Sequence, residues 1–334
     1  MSDKISIGVI GCSTIAKSST IPAILKSNNC KLAFVGSRSN DKARKIAQEF
    51  GCEKYGSYED VLSDSSVDAV YISTPVGTHE EWVIKSAQSG KHVLCEKSST
   101  TSFDSAKKMI SVCKENNIRL MEGFMFRFHP SHRKVKEIIN NGTIGNLFSF
   151  FSRYGFPSIS KDNIRYNKSL GGGILNDAGC YPINASRMLF GSEPEGILCR
   201  LNMDEEKQVD TKATIFMNFN NGRHSQSAVG YDLFYQSVYS LWGSSGSLSL
   251  TRAYNVPPDM HVMLDVNTNN FQEKIPIDIS DHFKIMISSF CDEIHNPNSA
   301  QYNFEEDLIN QAKVMEAARI SNKEKRYVRI DEIK

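Results

Sequence analysis

Residues 4–16 read KISIGVIGCSTIA, and this stretch predicts the fold of the first part of the chain. An apolar run that begins at Ile5 is typical of a buried strand, and small residues lead from it into a helix that begins near Ile15. Gly11 permits a tight turn, and N–H groups at a helix start are suited to hold a pyrophosphate. Ser13 stands where a dinucleotide fingerprint normally has its middle glycine. The stretch alone leaves two alternatives, a nucleotide site and an ordinary strand-to-helix turn.

Short apolar runs alternate with helical patterns up to about Gly123. The runs are ISIGVIG, KLAFVGS, AVYIST, KHVLCE and IRLMEG, and segments such as DKARKIAQEFG and HEEWVIKSAQSG separate them. Strands that alternate with helices favour parallel pairing and right-handed crossovers, hence an α/β, doubly wound sheet. We therefore expect a dinucleotide-binding domain over residues 1–123.

The pattern changes after Gly123. A helical segment, SHRKVKEIINNG, precedes stretches rich in aromatic and β-branched residues, such as NLFSFFSRYGF, TKATIFMNFNNG and SVYSLWGSSGSLSLTRAY. Turns of the NNG and SSG type favour antiparallel hairpins. Residues 124–334 are therefore expected to form an α+β substrate domain with a large, mainly antiparallel open sheet. Its aromatic strands would expose more apolar surface than monomers usually do, which predicts a symmetric homodimer or homotetramer.

The amino-acid composition limits the kinds of partner that the protein can have. The 334 residues include 39 Lys plus Arg and 38 Asp plus Glu, a balance that favours neither nucleic acid nor a membrane surface as partner. The eight cysteines have no CxxC or zinc spacing, which indicates reduced thiols and no metal site. No stretch approaches the ~20 apolar residues that span a bilayer. We expect a cytoplasmic protein with a small-molecule substrate.

The end of the second strand, Ser37-Arg38, bears on the cofactor. An acidic residue there would bind the ribose hydroxyl of NAD, whereas a serine and an arginine suit a 2′-phosphate. Lys42, one helical turn later, adds a second positive charge. The sequence thus favours NADP(H), with NAD(H) possible, unless Arg38 is simply a solvated loop residue.

Polar residues also follow later strands at the edge where open α/β sheets bind ligands. Ser73 and Thr74 lead into Pro75, His79 starts the next helix, and Lys97 follows HVLCE. We expect these groups to lie near the cofactor. For His79 the alternative is a helix N-terminal residue without chemistry.

The segment GGGILNDAGCYP supplies an acid–base pair. Asp177 and Tyr181 are four residues apart, so they are neighbours on one helical face. Pro182 is tolerated in a first turn, which places the helix start close to Gly179 and leaves Asp177 partly in the loop. A lysine ammonium such as that of Lys97 would lower the pKa of the phenol toward a useful range. The alternative is a core tyrosine with a capped hydroxyl.

Together, GVIGCSTIA, STPVGTH, CEKSS, MFRFHP and GGGILNDAGCYP resemble the Gfo/Idh/MocA family over essentially the whole chain. The resemblance implies a Rossmann domain, a C-terminal oligomerisation sheet and NAD(P)-dependent hydride transfer on sugars or cyclitols. It assigns catalysis to Lys97, Asp177 and Tyr181, and it places Arg165 near the cofactor. The expected cofactor-binding residues are Gly11, Ser13, Thr14, Ile15, Ser37, Arg38, Lys42, Ser73, Thr74, Pro75, His79, Glu96, Lys97 and Arg165.

Within this family, the sequence leaves two interpretations of the substrate. A tyrosine at position 181 and the segment YSLWGSSGSLSLTRAYNVPPD resemble reductases of nucleotide-linked deoxysugars, whereas MEGFMFRFHP resembles NADP-dependent xylose and dihydrodiol dehydrogenases. In the first reading Arg127, His129 and Arg252 meet a diphosphate, and Asp177 and Tyr181 contact the sugar. In the second reading the three basic residues brace the interface between the domains.

Two classes of function follow. The first is an oxidoreductase in which NADPH delivers a hydride to a sugar carbonyl, Tyr181 donates a proton to the oxygen, and Lys97 stabilises the developing charge. The second is a non-catalytic NADP-binding regulatory protein on the same fold. The intact set of Lys97, Asp177 and Tyr181 favours the enzyme, because a sensor needs no acid–base residues.

Overall fold

The computed structural model describes residues 4–297 and 302–334. The chain divides into two compact units. The first comprises Met1–Met125 and Phe283–Ile309, and the second comprises Phe126–His282 and Asn310–Lys334. A single boundary after Gly123 assigns Phe283–Ile309 to the second domain, whereas the structure groups this segment with the first unit. The division into a cofactor domain and a substrate domain stays a prediction.

The first unit is built on a parallel sheet of six strands. These are β1 Ile5–Ile10, β2 Cys30–Gly36, β3 Tyr55–Gly56, β4 Ala69–Ile72, β5 His92–Glu96 and β6 Leu120–Gly123. Their order is β3-β2-β1-β4-β5-β6, and every neighbouring pair is parallel. The five apolar runs are confirmed as strands. The two-residue β3 is too short to leave a periodic pattern.

Helices connect these strands. They are α1 Ile21–Lys26, α2 Asn40–Glu49, α3 Tyr58–Ser63, α4 His79–Gln88 and α5 Phe103–Glu115. Serines start three of them: Ser39, Ser57 and Ser102 each accept a hydrogen bond from a backbone N–H in the first turn. The β1 strand is buried along its whole length. Serine caps therefore fix the first turns of these three helices, and the central strand of the sheet is fully buried.

The second unit contains a sheet of nine strands. These are β7 Leu147–Gly155, β8 Gly196–Met203, β9 Asp210–Asn218, β10 His224–Gly230, β11 Gln236–Gly243, β12 Gly246–Thr251, β13 Val262–Thr268, β14 Gln272–Ile277 and β15 Val328–Arg329. The order is β14-β13-β12-β11-β7-β10-β9-β8-β15. All neighbours are antiparallel except β7 and β10, which are parallel. The expected α/β class with a mainly antiparallel second sheet is confirmed.

The remaining helices are α6 Pro130–Asn140, α7 Cys180–Phe190, α8 His282–His295 and α9 Phe304–Glu324. Along β7 the side chains of Phe150 and Tyr154 are buried on the face that α7 covers. Strands β8, β14 and the two-residue β15 have no predicted counterpart. In β14, QEKIPI carries charges and a proline, as is typical of an edge strand rather than of an apolar run. Among the described residues, no helix is long and apolar enough to cross a membrane.

The opposite face of this sheet carries an outer aromatic cluster, which comprises Phe148, Phe151, Phe216, His224 and Trp242. The Phe148 ring lies 4.8 Å from that of His224 and 5.9 Å from that of Trp242. Phe148 and Trp242 are nevertheless 47% and 57% exposed. The open sheet therefore presents an aromatic surface on the side away from α7.

Candidate active site

The turn after β1 has the geometry of a dinucleotide-binding loop. Gly11 has φ 105°, and a Cβ at this position would lie 3.0 Å from the backbone of Ser73. The Ser73 hydroxyl donates to the Gly11 carbonyl at 2.7 Å, so the ends of β1 and β4 are joined. Ser13 Oγ accepts from the N–H of Ala16 at 3.1 Å and thus caps a helical segment that begins at Thr14 and continues through a π-helical turn, Ala16–Thr20, into α1. A capping serine explains the departure from glycine and leaves the N–H groups of the first turn for a ligand.

Positive charge gathers beside this turn, at the end of β2. Ser37 is buried, and its hydroxyl accepts from the N–H of Ser39. Burial raises the pKa of the Cys12 thiol, and the charge of Lys42 and a hydrogen bond with Ser37 act in the opposite direction. Arg38 is exposed; burial raises the pKa of Tyr58, and the positive charge of Arg38 lowers it. The structure therefore brings Ser37, Arg38 and Lys42 together.

The lysine predicted to be catalytic follows β5 and is half-buried. The carboxylate of Glu96 accepts from the buried Tyr71 hydroxyl at 2.7 Å and from the N–H of Lys97 at 3.3 Å. One strand further, Glu122 accepts from the N–H of Ser99 at 2.7 Å. Burial raises the pKa of Glu96, whereas the Tyr71 hydrogen bond and the Lys97 charge lower it. Two strand-terminal carboxylates thus fix the backbone on both sides of Lys97.

His79 holds the same loop from the other side. Its Nδ1 lies 3.1 Å from the Ser98 carbonyl, and its Nε2 lies 2.8 Å from the Thr74 carbonyl. Burial lowers the pKa of His79, and the charge of Lys97 acts in the same direction, while the two carbonyls raise it. The ring therefore links the ends of β4 and β5. A direct contact of His79 with the cofactor stays a prediction, as does one of Pro75.

In the second unit, two side chains hold Asp177, and they lie 12 and 54 residues away from it in the sequence. Arg165 Nε donates to its Oδ2 at 2.6 Å, and the Tyr231 hydroxyl donates to the same oxygen at 3.4 Å. The Asp177 charge raises the pKa of Arg165; burial, followed by the same charge, raises that of Tyr231. The structure therefore makes Arg165 a partner of Asp177, and its predicted contact with the cofactor remains a prediction.

The helical start around these residues differs from the expected one. The α-helix α7 begins at Cys180, close to the predicted Gly179, but a π-helical turn, Leu175–Gly179, precedes it. Asp177 therefore lies in a helical turn and not in a loop. A π-turn shifts the hydrogen-bond register by one residue, so the missing N–H of Pro182 is accommodated directly after it. Such turns occur frequently at functional sites.

Tyr181 lies in an aromatic cluster of the second unit. Its ring centroid is 5.2 Å from that of Tyr154, 5.4 Å from that of Tyr254 and 5.7 Å from that of Phe126. Only 4% of the residue is exposed within the whole chain. The packing fixes the ring and thereby the direction of the phenol oxygen, as a proton donor requires.

The three residues predicted to meet a diphosphate have different surroundings. Arg127 donates to the Asn184 side chain at 3.3 Å. His129 is 1% exposed and caps α6 through Ser131, and burial lowers its pKa to about 4. Arg252 is half-buried and stacks on an aromatic ring. Roles of all three toward substrate stay predictions, and the burial of His129 does not favour one for that residue.

Sequence reasoning missed Tyr71, Glu122 and Tyr231. Each is the polar residue inside or directly after an apolar strand, in AVYIST, LMEG and SAVGY respectively. A hydroxyl or carboxylate in that position needs a partner when it is buried, and this was the available signal. Within residues 4–297 and 302–334, no group of three or more His, Cys, Asp or Glu is arranged to hold a metal ion.

Comparisons with known proteins agree with this geometry. Residues 5–124 match the family model for the oxidoreductase family with an NAD-binding Rossmann fold, GFO_IDH_MocA, and residues 132–249 match that for the GFO/IDH/MocA C-terminal domain. The chain is 30% identical over 315 residues to the dTDP-3,4-didehydro-2,6-dideoxy-alpha-D-glucose 3-reductase of Actinomadura kijaniata, covering 94% of this chain and 95% of the relative. It is 31% identical over 304 residues to D-xylose 1-dehydrogenase (NADP(+)) 2 of Haloferax volcanii, covering 90% and 92%.

Solved structures give the same result. A 3-ketoreductase from Actinomadura kijaniata in complex with NADP and TDP-benzene superposes with a TM-score of 0.91 at 30% identity, over 96% of this chain and 98% of that one. Variants of that enzyme have also been solved, with a tyrosine changed to phenylalanine or a lysine changed to alanine, again with NADP and TDP-benzene. This chain belongs to the GFO/IDH/MocA family of oxidoreductases.

Proposed function

We propose that the protein is an NADP(H)-dependent ketoreductase that acts on a nucleotide-linked deoxysugar. The observation that carries this proposal is the pair Lys97 and Tyr181. The lysine and the tyrosine that were replaced in the Actinomadura kijaniata ketoreductase are separated by the same number of positions as these two residues. The 30% identity to the 3-reductase of Actinomadura kijaniata, which extends over 94% of this chain, also supports the proposal.

The fit of the cofactor rests on the first unit. Gly11, with its positive φ, and the capped helix start supply backbone N–H groups suited to a pyrophosphate. Ser37, Arg38 and Lys42 gather at the end of β2, where a 2′-phosphate would be bound. NADP(H) is therefore the preferred cofactor, and NAD(H) the weaker one.

In the proposed mechanism the bound cofactor supplies the hydride to the sugar carbonyl. Tyr181 donates its phenolic proton to the carbonyl oxygen, and the Lys97 ammonium stabilises the negative charge that develops there. Asp177 accepts a hydrogen bond from a substrate hydroxyl and so orients the sugar, while the ion pair with Arg165 holds the carboxylate in place. A positioned acid of this kind contributes about 10² to 10⁴ in rate.

A screen tests the proposal directly. The purified protein is assayed by NADPH consumption with a TDP-linked 3-keto deoxysugar, and by NADP reduction with D-xylose, D-glucose, cyclitols and a trans-dihydrodiol. Efficient turnover of the TDP-sugar alone supports the ketoreductase. Turnover of a free aldose alone supports the second candidate, an aldose dehydrogenase, which the 31% identity to the Haloferax volcanii enzyme favours. Tight NADPH binding without turnover of any substrate supports a regulatory protein.

We also propose that the protein is a cytoplasmic homo-oligomer that assembles through the outer aromatic cluster. Two large aromatic side chains exposed side by side, Phe148 and Trp242, favour burial against a second copy. All eight cysteines are free thiols in the structure, which agrees with a reducing compartment. Light scattering gives the mass, and a monomer at micromolar concentration would exclude the assembly.

A further inference from the structure

The turn between β10 and β11, residues 231–235, leads from the acid–base residues to the protein surface. Tyr231 is fully buried and donates to Asp177. Three residues later, the Phe234 side chain is 85% exposed, and Leu233 beside it is 41% exposed. Three residue steps span at most about 11 Å. The turn therefore holds an exposed aromatic ring within a short chain distance of Asp177.

An arginine without an anionic partner adjoins this turn. The guanidinium carbon of Arg252 lies 4.5 Å from the ring centroid of Tyr235. Arg252 has φ 55°, a conformation that a residue with a side chain adopts only when its surroundings hold it there. The N–H of the following residue, Ala253, donates to the Ser237 carbonyl at 2.7 Å, which fixes the backbone. In the described ranges, the guanidinium makes neither an ion pair nor a hydrogen bond.

Arg252 and the turn 231–235 each lie a few residues from a side chain that contacts a proposed acid–base residue. Tyr254, two residues after Arg252, has its ring 5.4 Å from that of Tyr181. Tyr235 follows Tyr231, the partner of Asp177, by four residues. A substrate whose sugar lies at Tyr181 and Asp177 therefore has an arginine and an exposed ring within reach in the same unit.

We propose that Arg252, Tyr235 and Phe234 form a binding subsite for the nucleoside diphosphate part of the substrate. Arg252 binds the diphosphate through charge-assisted hydrogen bonds, and its stacking on Tyr235 orients the guanidinium in advance. Phe234 stacks on the nucleobase, which presents a π-face whatever its identity. This inference rests on the proposed function and names the part of the molecule that selects a nucleotide-linked sugar over a free one.

The residue types favour this ligand over a free sugar. A free aldose offers only neutral hydroxyl oxygens, which accept hydrogen bonds from a guanidinium but do not compensate its positive charge. A diphosphate supplies that anion, and a base supplies the flat apolar surface that an 85% exposed phenylalanine lacks. The two features occur together, and a nucleoside diphosphate is the ligand class that uses both.

Binding of thymidine diphosphate to the NADPH-loaded protein, measured by calorimetry, tests the subsite without requiring turnover. Arg252→Gln is expected to weaken binding at least tenfold, and Phe234→Ala about five- to fifty-fold. Arg252→Lys keeps the charge and controls for folding. Phe271→Ala and Arg133→Gln, which remove an exposed ring and an exposed arginine elsewhere in the unit, should leave the affinity unchanged.

The outcomes separate this inference from the proposed function. If the wild type binds thymidine diphosphate and both variants lose it, the subsite stands even when no nucleotide-linked sugar is reduced, and then the proposed function alone fails. If the wild type reduces a TDP-sugar and both variants keep its KM and the thymidine diphosphate affinity within twofold, the subsite is wrong. If the wild type does not bind thymidine diphosphate, the subsite is also refuted. If light scattering gives Phe234→Ala a lower mass than the wild type, the Phe234 ring serves assembly and not nucleotide binding.

Discussion

Replacing Tyr181 by phenylalanine separates packing from proton donation. The Tyr181 ring contacts those of Phe126, Tyr154 and Tyr254, and phenylalanine keeps all three contacts. Each such pair contributes about 0.5 to 1.5 kcal/mol beyond burial, so the free energy of unfolding should change little. Tyr181→Ala would instead remove the ring and destabilise the unit by about 3 to 5 kcal/mol.

The rate should fall steeply although the fold is kept. Loss of a positioned acid costs about 10² to 10⁴ in rate, which corresponds to about 2.7 to 5.4 kcal/mol of activation free energy. The assay is single-turnover reduction of the TDP-ketosugar followed by NADPH absorbance, with NADPH affinity titrated by fluorescence. We expect that affinity to stay within twofold of the wild type. Tyr154→Phe, which alters a neighbour of the same ring, is the matched control and should keep most of the activity.

Lys97→Ala completes the test. We expect it to be at least as damaging as Tyr181→Phe, because in the proposed mechanism the ammonium both favours the ionised phenol and stabilises the reacting oxygen. Since both residues serve one proton transfer, the double variant should be far less than additive. A folded Tyr181→Phe protein with more than half of the wild-type kcat would refute the reasoning and move the acid role to another group.

Three other predictions concern the cofactor, the assembly and acid stability. Arg38→Asp should weaken NADPH binding at least tenfold, because it removes a charge-assisted contact, as measured by fluorescence titration. Trp242→Arg should yield monomers in light scattering, because it places charge in the outer aromatic cluster. Burial lowers the pKa of His129 to about 4 and of His132 and His282 to about 3, so acid should destabilise the second unit. Each neutral histidine makes its full contribution to the free energy of unfolding above the unfolded pKa near 6.5. That contribution falls by about 1.4 kcal/mol per pH unit as the pH drops toward 4, and denaturant melts at several pH values measure the loss.

Each of these has a control and an opposing result. Arg44→Asp, on an exposed face of α2, should bind NADPH like the wild type, and equal affinity of the wild type for NADH and NADPH would contradict the assignment. Phe271→Arg should leave the oligomer intact, and a Trp242→Arg oligomer would exclude this face. A free energy of unfolding that does not change between pH 6 and pH 4 would contradict the histidine prediction.

The sequence was most informative where the signal is local. The five apolar runs of the first sheet and the Gly11 turn follow from strand length, periodicity and glycine chemistry, which act over a few residues. The ion pair of Asp177 with Arg165 depends on a 3-10 helix, Ile164–Tyr166, and the hydrogen bond from Tyr231 depends on the turn after β10, far along the chain. Nothing in the local pattern specifies them. The π-helical turn that contains Asp177 was also missed. Pro182 indicates where the α-helix begins, but no local pattern indicates a helical turn before that point.

The place of β7 in the sheet bears on how the second unit is made. This strand lies between β10 and β11, and its partners begin about seventy residues later in the chain. The strands on either side form hairpins between near neighbours, which close quickly, whereas β7 must wait for both. We expect two preformed meanders to be joined by the earlier strand in a late step. Until residues 224–243 have left the ribosome, β7 has two unpaired edges and exposed aromatic side chains, so the nascent chain is most prone to aggregate at that stage.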